Sequence, residues 1–299
     1  MRSVLAKFAL TAVALSASIL MAGAGVTLAG GAGPADAADA PSSGYNNWSC
    51  VPSRAHPEPV VLLHGLGATY YEDLGNLVAP YLAAHGYCVY GATYGATSLF
   101  GQYIGGVGDI AASGREISAF VQRVMSATHA AKVDLVGHSE GAFMSLWVPK
   151  VDGDASLVDK VVAIAPPTHG TTFGGLVTIG EDLHAMPEVD ELLINGECIA
   201  CAELITGGSA VATLDAGPIA QPGVTYTIIA SKSDELVTPT STAFVYAHGV
   251  HNAYIQATCP YDRVGHLGEA YDSDVEQMIT NALDPASAHR ITCSFGPPV

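Results

Sequence analysis

Val133-Asp134-Leu135-Val136-Gly137-His138-Ser139-Glu140-Gly141-Ala142-Phe143-Met144-Ser145-Leu146-Trp147 joins a short β-branched run to an apolar run that suits a buried helix start. Between them, Gly137-His138-Ser139-Glu140-Gly141 has the form of a nucleophile elbow. A serine held at the tip of so sharp a turn strains its own backbone and crowds the residues two positions either side. Glycine relieves the crowding because it has no Cβ. The five-residue pattern is weak by itself in a chain with 33 glycines. Its position between a strand and a helix makes Ser139 the candidate nucleophile, against the plainer reading of a turn serine.

Working outward, strands and helices alternate in the order that a parallel sheet requires. Pro59-Val60-Val61-Leu62-Leu63 is apolar throughout, as a strand buried on both faces should be. Leu74, Leu77, Val78, Tyr81 and Leu82 recur at helical spacing, with Gly86 as the stop. Residues 87–94 read as the next strand, and a Gly-rich loop over 95–108 leads to a long helix with Ile110, Ile117, Phe120, Val121 and Val124 inward. After the elbow, residues 160–165 form another buried strand. Strands resume at 225–229 and 252–256, and a last helix carries Val275, Met278, Ile279 and Ala282. Between them the alternation breaks. Residues 168–223 carry Gly, Pro, scattered apolar residues and only weak helical periodicity near Leu183 and Leu192-Leu193, which reads as a cap or lid.

The N-terminus reads as a targeting segment. Arg2 and Lys7 precede an uncharged, Ala-rich apolar run, and Ala35-Asp36-Ala37 is a small-x-small cleavage site, so residues 1–37 are expected to be a signal peptide. Ala38-Asp39-Ala40 is a poorer site because Pro41 follows. A membrane anchor is the alternative, since the run is long enough to span. An N-terminal arm over 38–58 and a single domain over 59–299 follow, roughly 260 residues in all and enough for one full core. The net charge of −17 becomes one unit more negative when Arg2, Lys7 and Asp36 leave. That excess disfavours nucleic acid and anionic membranes as partners. Six cysteines suit an oxidising compartment, and the protein is expected outside the cell. Order along the chain suggests Cys50 with Cys88, Cys198 with Cys201, and Cys259 with Cys293. Cys198-Ile199-Ala200-Cys201 could also be half a zinc site or a redox pair, but no second ligand pair at suitable spacing accompanies it. No cofactor is called for, although the carboxylate excess leaves room for a bound calcium.

A serine nucleophile needs a base and a carboxylate to orient that base. In an elbow architecture they follow in the order serine, acid, histidine. His266, in Val264-Gly265-His266-Leu267-Gly268 between the last strand and last helix, is the candidate base. His248 and His251 sit at the wrong edge of the sheet, and His289 lies in the tail. Asp234, just past the preceding strand, is the candidate acid, with Glu235 and Asp262 as alternatives. Backbone N–H groups of Glu140 and Leu66 are the candidate oxyanion donors, Leu66 because His64-Gly65-Leu66-Gly67 follows the first strand. Leu66, Tyr70, Phe173 and Leu176 are placed at the mouth, where they favour acyl chains over polar substrates.

His64-Gly65 after an apolar strand, the elbow, Asp234-Glu235-x-Val237-Thr238-Pro239 and Gly265-His266-Leu267-Gly268 together resemble the secreted α/β-hydrolase lipases of actinobacteria, in the bacterial class 2 lipase group. Pro166-Pro167-Thr168-His169-Gly170-Thr171-Thr172 and the three cysteine pairs extend the resemblance over nearly the whole mature chain. It implies an α/β-hydrolase fold, a mostly parallel sheet with helices on both faces. It also implies hydrolysis of carboxylic esters by Ser139, Asp234 and His266 without a cofactor. Apart from the resemblance, the expected partner is an ester or lipid substrate, met by a monomer with room for transient contact with lipid interfaces. Glu140 departs from the glutamine common in that group. Only its backbone N–H is needed, but a carboxylate there could shift the pH optimum. His138 and His169 are read as packing and hydrogen-bonding neighbours.

Overall fold

Strands with apolar residues at consecutive positions need an apolar layer on each side, and the sheet has both. A computed structural model describes residues 45–99, 102–175 and 198–298. The expected targeting segment, Leu176, Leu183 and Leu192-Leu193 lie outside these residues. In chain order the elements are β1 (Val60–Leu63), a π-helical turn (Tyr71–Gly75), α1 (Val78–Ala84), β2 (Val89–Gly91), β3 (Thr97–Leu99), β4 (Gln102–Ile104), α2 (Ile110–Thr128), β5 (Val133–His138) and α3 (Glu140–Lys150). Then follow β6 (Val158–Ile164), α4 (Ile199–Leu204), α5 (Ser209–Asp215), β7 (Thr225–Ala230), β8 (Val250–Tyr254) and α6 (Ser273–Leu283). Six strands form one sheet in the order β2-β1-β5-β6-β7-β8, parallel throughout.

The period-two alternation of each strand sorts the core into two layers. Val61, Leu63, Leu135, Val161 and Ile228 pack with Ile117, Val121 and Val124 of α2 and Phe143, Met144 and Leu146 of α3. Val60, Leu62, Val136, Val162 and Ile229 face the other way, against Val78 and Leu82 of α1 and Val275 and Ile279 of α6. Helix α2 starts where Asp109 accepts the Ala112 N–H at 2.7 Å, and it ends at left-handed His129.

Three local differences from the sequence expectations have physical causes. The segment read as one helix over 74–82 is divided between the π-helical turn Tyr71–Gly75 and α1 from Val78, with non-helical backbone at Leu77 (φ −120°, ψ −52°). Just ahead of the segment, Asp73 is also non-helical (φ −92°, ψ −112°), with its carboxylate buried. Leu77 is consequently 44% exposed rather than part of a buried stripe. The Gly-rich stretch over 95–108 contains the antiparallel pair β3–β4. In the region read as a cap, α4 and α5 are anchored in the main core through Ala200, Leu204, Val211 and Leu214.

The three disulfides are the ones that chain order suggests: Cys50–Cys88, Cys198–Cys201 and Cys259–Cys293. The first and third close loops of 38 and 34 residues, and each contributes about 3–4 kcal/mol by restricting the unfolded chain. The arm also covers the sheet edge. The Asn46 side chain donates to the Gly91 carbonyl and accepts the Gly91 N–H, both at 2.9 Å, and Trp48 packs on Tyr90 and Phe120. An edge strand so occupied offers little backbone for pairing with another chain.

Candidate active site

The end of β5 and the start of α3 meet at Ser139, which has φ +56° and ψ −121°. Such a conformation is costly for a residue with a Cβ, and it swings the side chain out of the sheet edge. The neighbouring glycines are set by backbone contact. A Cβ on Gly137 would lie 2.2 Å from the Gly141 carbonyl oxygen, and one on Gly141 would lie 2.0 Å from that of Leu63. Neither obstacle is a flexible side chain. Gly141→Ala is therefore expected to destabilise the fold by about 3 kcal/mol or more, as an overpacked site whose neighbours cannot move. Thermal melting of this variant at the wild-type temperature would show the turn to be looser than described.

Three sequence candidates come together at the turn. The Ser139 hydroxyl lies 2.8 Å from Nε2 of His266, and Nδ1 of His266 lies 2.9 Å from Oδ2 of Asp234. His266 and Asp234 are 3% and 6% exposed, so the chain of hydrogen bonds runs out of solvent. Asp234 is held by its other oxygen, Oδ1, which accepts the N–H groups of Leu236 and Val237 at 2.8 Å each. Glu235 accepts the His266 backbone N–H at 3.2 Å, and Asp262 accepts from Val264 and Gly296. Each alternative acid thus fixes backbone near the site. His248, His251 and His289 are exposed. The acid loop is itself clamped. Thr171 Oγ1 donates to the Leu236 carbonyl at 2.5 Å and accepts the Thr238 N–H, while Thr172 and Thr238 join hydroxyls at 2.6 Å.

The loop after β1 lies against the elbow, since a Cβ on Gly65 would stand 3.2 Å from that of Ser139. Among the described residues, the N–H groups of Leu66 and Glu140 meet no acceptor. Two free donors beside a serine hydroxyl are what a developing oxyanion requires. His64 buttresses this loop in neutral form. Its Nε2 accepts the Tyr94 N–H at 3.2 Å, its Nδ1 donates to the Gly65 carbonyl, and burial lowers its pKa.

Glu140 and Glu269 bring two further carboxyls to the site. Glu140 is 1% exposed with both side-chain oxygens unpartnered. Burial, then the charge of Glu203, raises it well above the usual carboxylate range. Its surroundings therefore disfavour the ionised form beside the oxyanion donors. Glu269 is likewise raised, by burial and then by Asp234, and its Oε1 accepts the Ser231 N–H.

Asp73 has no mark in the sequence, and it is the principal residue that sequence reasoning missed. It pairs with Nδ1 of His138 at 3.0 Å and accepts the Gly65 N–H at 2.5 Å. On its other side, His138 Nε2 donates to the backbone carbonyl of His266 at 3.0 Å. Both ring nitrogens therefore face acceptors, which suits an imidazolium. Burial lowers the pKa of His138, but the charge and hydrogen bond of Asp73, the His266 carbonyl and the charge of Asp234 together turn the net shift upward. Burial likewise works against ionised Asp73, and the charge and hydrogen bond of His138 together with the Gly65 N–H turn the net shift downward. One buried ion pair so ties the loop bearing Leu66 to the loop bearing His266. His169, by contrast, is half-exposed and bridges Asp215 and the Phe244 carbonyl.

A family model described as lipase (class 2) matches residues 57–278, the span that holds Asp73, His138, Ser139, Asp234 and His266. The chain belongs to the class 2 lipases. Triacylglycerol lipases of Pseudarthrobacter phenanthrenivorans and Burkholderia plantarii are each 35% identical to this class 2 lipase over 125 residues. The matches cover 40% of this chain but only 36% and 32% of those proteins, so the chain spans about a third of the curated relatives' length. Lipase B of Aspergillus fumigatus superposes with a TM-score of 0.55 at 17% identity, over 82% of this chain and 61% of that one. At that identity the likeness is one of fold, and the fold is the α/β-hydrolase architecture expected from the sequence.

Proposed function

We propose that this class 2 lipase is a secreted serine carboxylic-ester hydrolase acting on triacylglycerols through an acyl-enzyme on Ser139. The observation that carries the reading is the hydrogen-bonded series Ser139–His266–Asp234 at a strained strand-to-helix turn. In this reading His266 takes the Ser139 proton as the oxygen attacks the ester carbonyl, and Asp234 stabilises the imidazolium that forms. The N–H groups of Leu66 and Glu140 receive the oxyanion. The proton on His266 then passes to the departing alcohol, and water repeats the sequence in reverse roles to release the acid.

An acyl site is supported by an apolar cluster next to the oxyanion loop, in which Leu66 and Phe173 pack with Ile205 and the Cys198–Cys201 bridge. Secretion is supported by the three disulfides together with the expected targeting segment. The actinobacterial likeness of the motifs and action as a monomer belong to the same proposal. It is tested by hydrolysis rates on p-nitrophenyl esters from acetate to palmitate. Rates that peak at medium or long chains are expected. A peak at acetate would make the protein a short-chain or polymeric-ester esterase. Faster alcoholysis than hydrolysis would make it an acyltransferase, and no turnover would leave a binding protein on a hydrolase scaffold.

A further inference from the structure

Asp262, Asp272 and Asp274 converge beneath the loop that carries His266, and they are 2%, 1% and 0% exposed. One oxygen from each lies within 4.8 Å of the others. The two oxygens of each carboxylate are used differently. The Oδ1 atoms are tied to the chain: that of Asp262 accepts from the N–H groups of Val264 and Gly296, and that of Asp272 from the Asp274 N–H. The Asp274 Oδ1 accepts the N–H of Ser294 at 2.8 Å and its hydroxyl at 3.0 Å. The Oδ2 atoms of all three are buried and have no partner. Among the described residues, no Lys, Arg or His forms an ion pair with any of them.

Three buried carboxylates that are each hydrogen-bonded through one oxygen only carry a desolvation cost that a shared cation would offset. Backbone donors orient each Oδ1, so the free oxygens are held in place rather than free to turn toward water. Oxygens within 4.8 Å of one another can share a single ion at the roughly 2.3–2.6 Å that calcium takes. We propose that Asp262, Asp272 and Asp274 bind one calcium ion, with water completing its shell. An all-oxygen set of three carboxylates suits a hard cation, and magnesium, which retains several waters, fits a crowded protein cage less well. The neighbouring Cys259 and Cys293 are joined to each other and have no thiolate to offer.

The ion would do structural work. Asp262 precedes His266 and Asp272 follows it, so one ion closes residues 262–272 into a braced loop. Ser294 and Gly296 bring the C-terminal tail to the same point, near the Cys259–Cys293 bridge. The competing arrangement is a cluster held by protons, because burial and then the adjacent Asp262 push the Asp272 carboxyl upward.

The test uses the full secreted chain after exhaustive treatment with EGTA, with metal content read by mass spectrometry. Calcium chloride is then added against magnesium chloride at matched ionic strength, and melting is followed alongside calorimetric titration. One bound calcium is expected, with Tm rising by about 5–10 °C when free calcium is about a hundredfold above Kd. Calcium retained at one equivalent through EGTA treatment would support the site equally. Asp274→Asn is expected to lose most of the calcium-dependent rise in Tm. If that variant does not fold, the wild-type titration decides alone. No retained calcium, together with no heat and no change in Tm at millimolar calcium, would overturn the proposal in favour of shared protons.

Discussion

Ser139→Ala is expected to lower kcat for ester hydrolysis by about 10⁴–10⁶-fold, because the groups of a triad act as a unit. His266→Ala should cost a similar factor, and the double variant should be little worse than either. Simple addition of the two losses would mean that the 2.8 Å contact between them is not the reacting pair. Fluorophosphonate labelling should disappear with the Ser139 hydroxyl. The fold should survive, since Ser139 donates its N–H to the Ile164 carbonyl and accepts from Phe143 through backbone atoms alone. Stability offers a second reading of the elbow. At φ +56° glycine is unstrained, so Ser139→Gly should be about 1 kcal/mol more stable than Ser139→Ala while equally inactive. Equal melting temperatures would mean that the turn stores no strain.

The parts legible in the sequence were those whose cause is local. Val60–Leu63 and Val133–His138 read as strands because each is buried on both faces, and the elbow read through glycines that backbone contact demands. Consecutive cysteines paired in order. The illegible parts depend on residues far apart in the chain. Helices α4 and α5 are six and seven residues long, too short for a periodic signal, and Leu204 and Leu214 owe their burial to the main core. Asp262, Asp272 and Asp274 match no contiguous metal-binding pattern and meet only once the tail returns to the His266 loop. Asp73 sits 65 positions from His138, just ahead of a run whose apolar spacing argues for a helix and says nothing of a buried acid.

That hidden residue carries the largest expected effect outside the triad. Asp73→Ala would leave His138 buried without its counter-ion and the Gly65 N–H without its acceptor. Removing one partner of such a pair costs about 3–5 kcal/mol, which for a domain of this size lowers Tm by about 10 °C or more. The pH dependence has a definite sign. Asp73 is shifted below the ordinary aspartate value of 3.8, so its contribution holds above that value and fades as pH falls through the lowered one. His138 is shifted above 6.5, so its contribution is full below that value and fades as pH rises through the raised one. The gap in Tm between wild type and Asp73→Ala should therefore be widest between these limits and narrow on both sides. A gap that does not change with pH would mean that the pair is uncharged. Catalysis should change separately from stability. With the Leu66 loop and the His266 carbonyl both released, kcat measured well below Tm should fall by about 10–100-fold while KM barely moves. Asp73→Asn keeps an acceptor for Gly65 and gives up the charge, so it should recover much of kcat while regaining less of the lost stability. If Asn restored stability and kcat equally, the ion pair would matter only as a hydrogen bond.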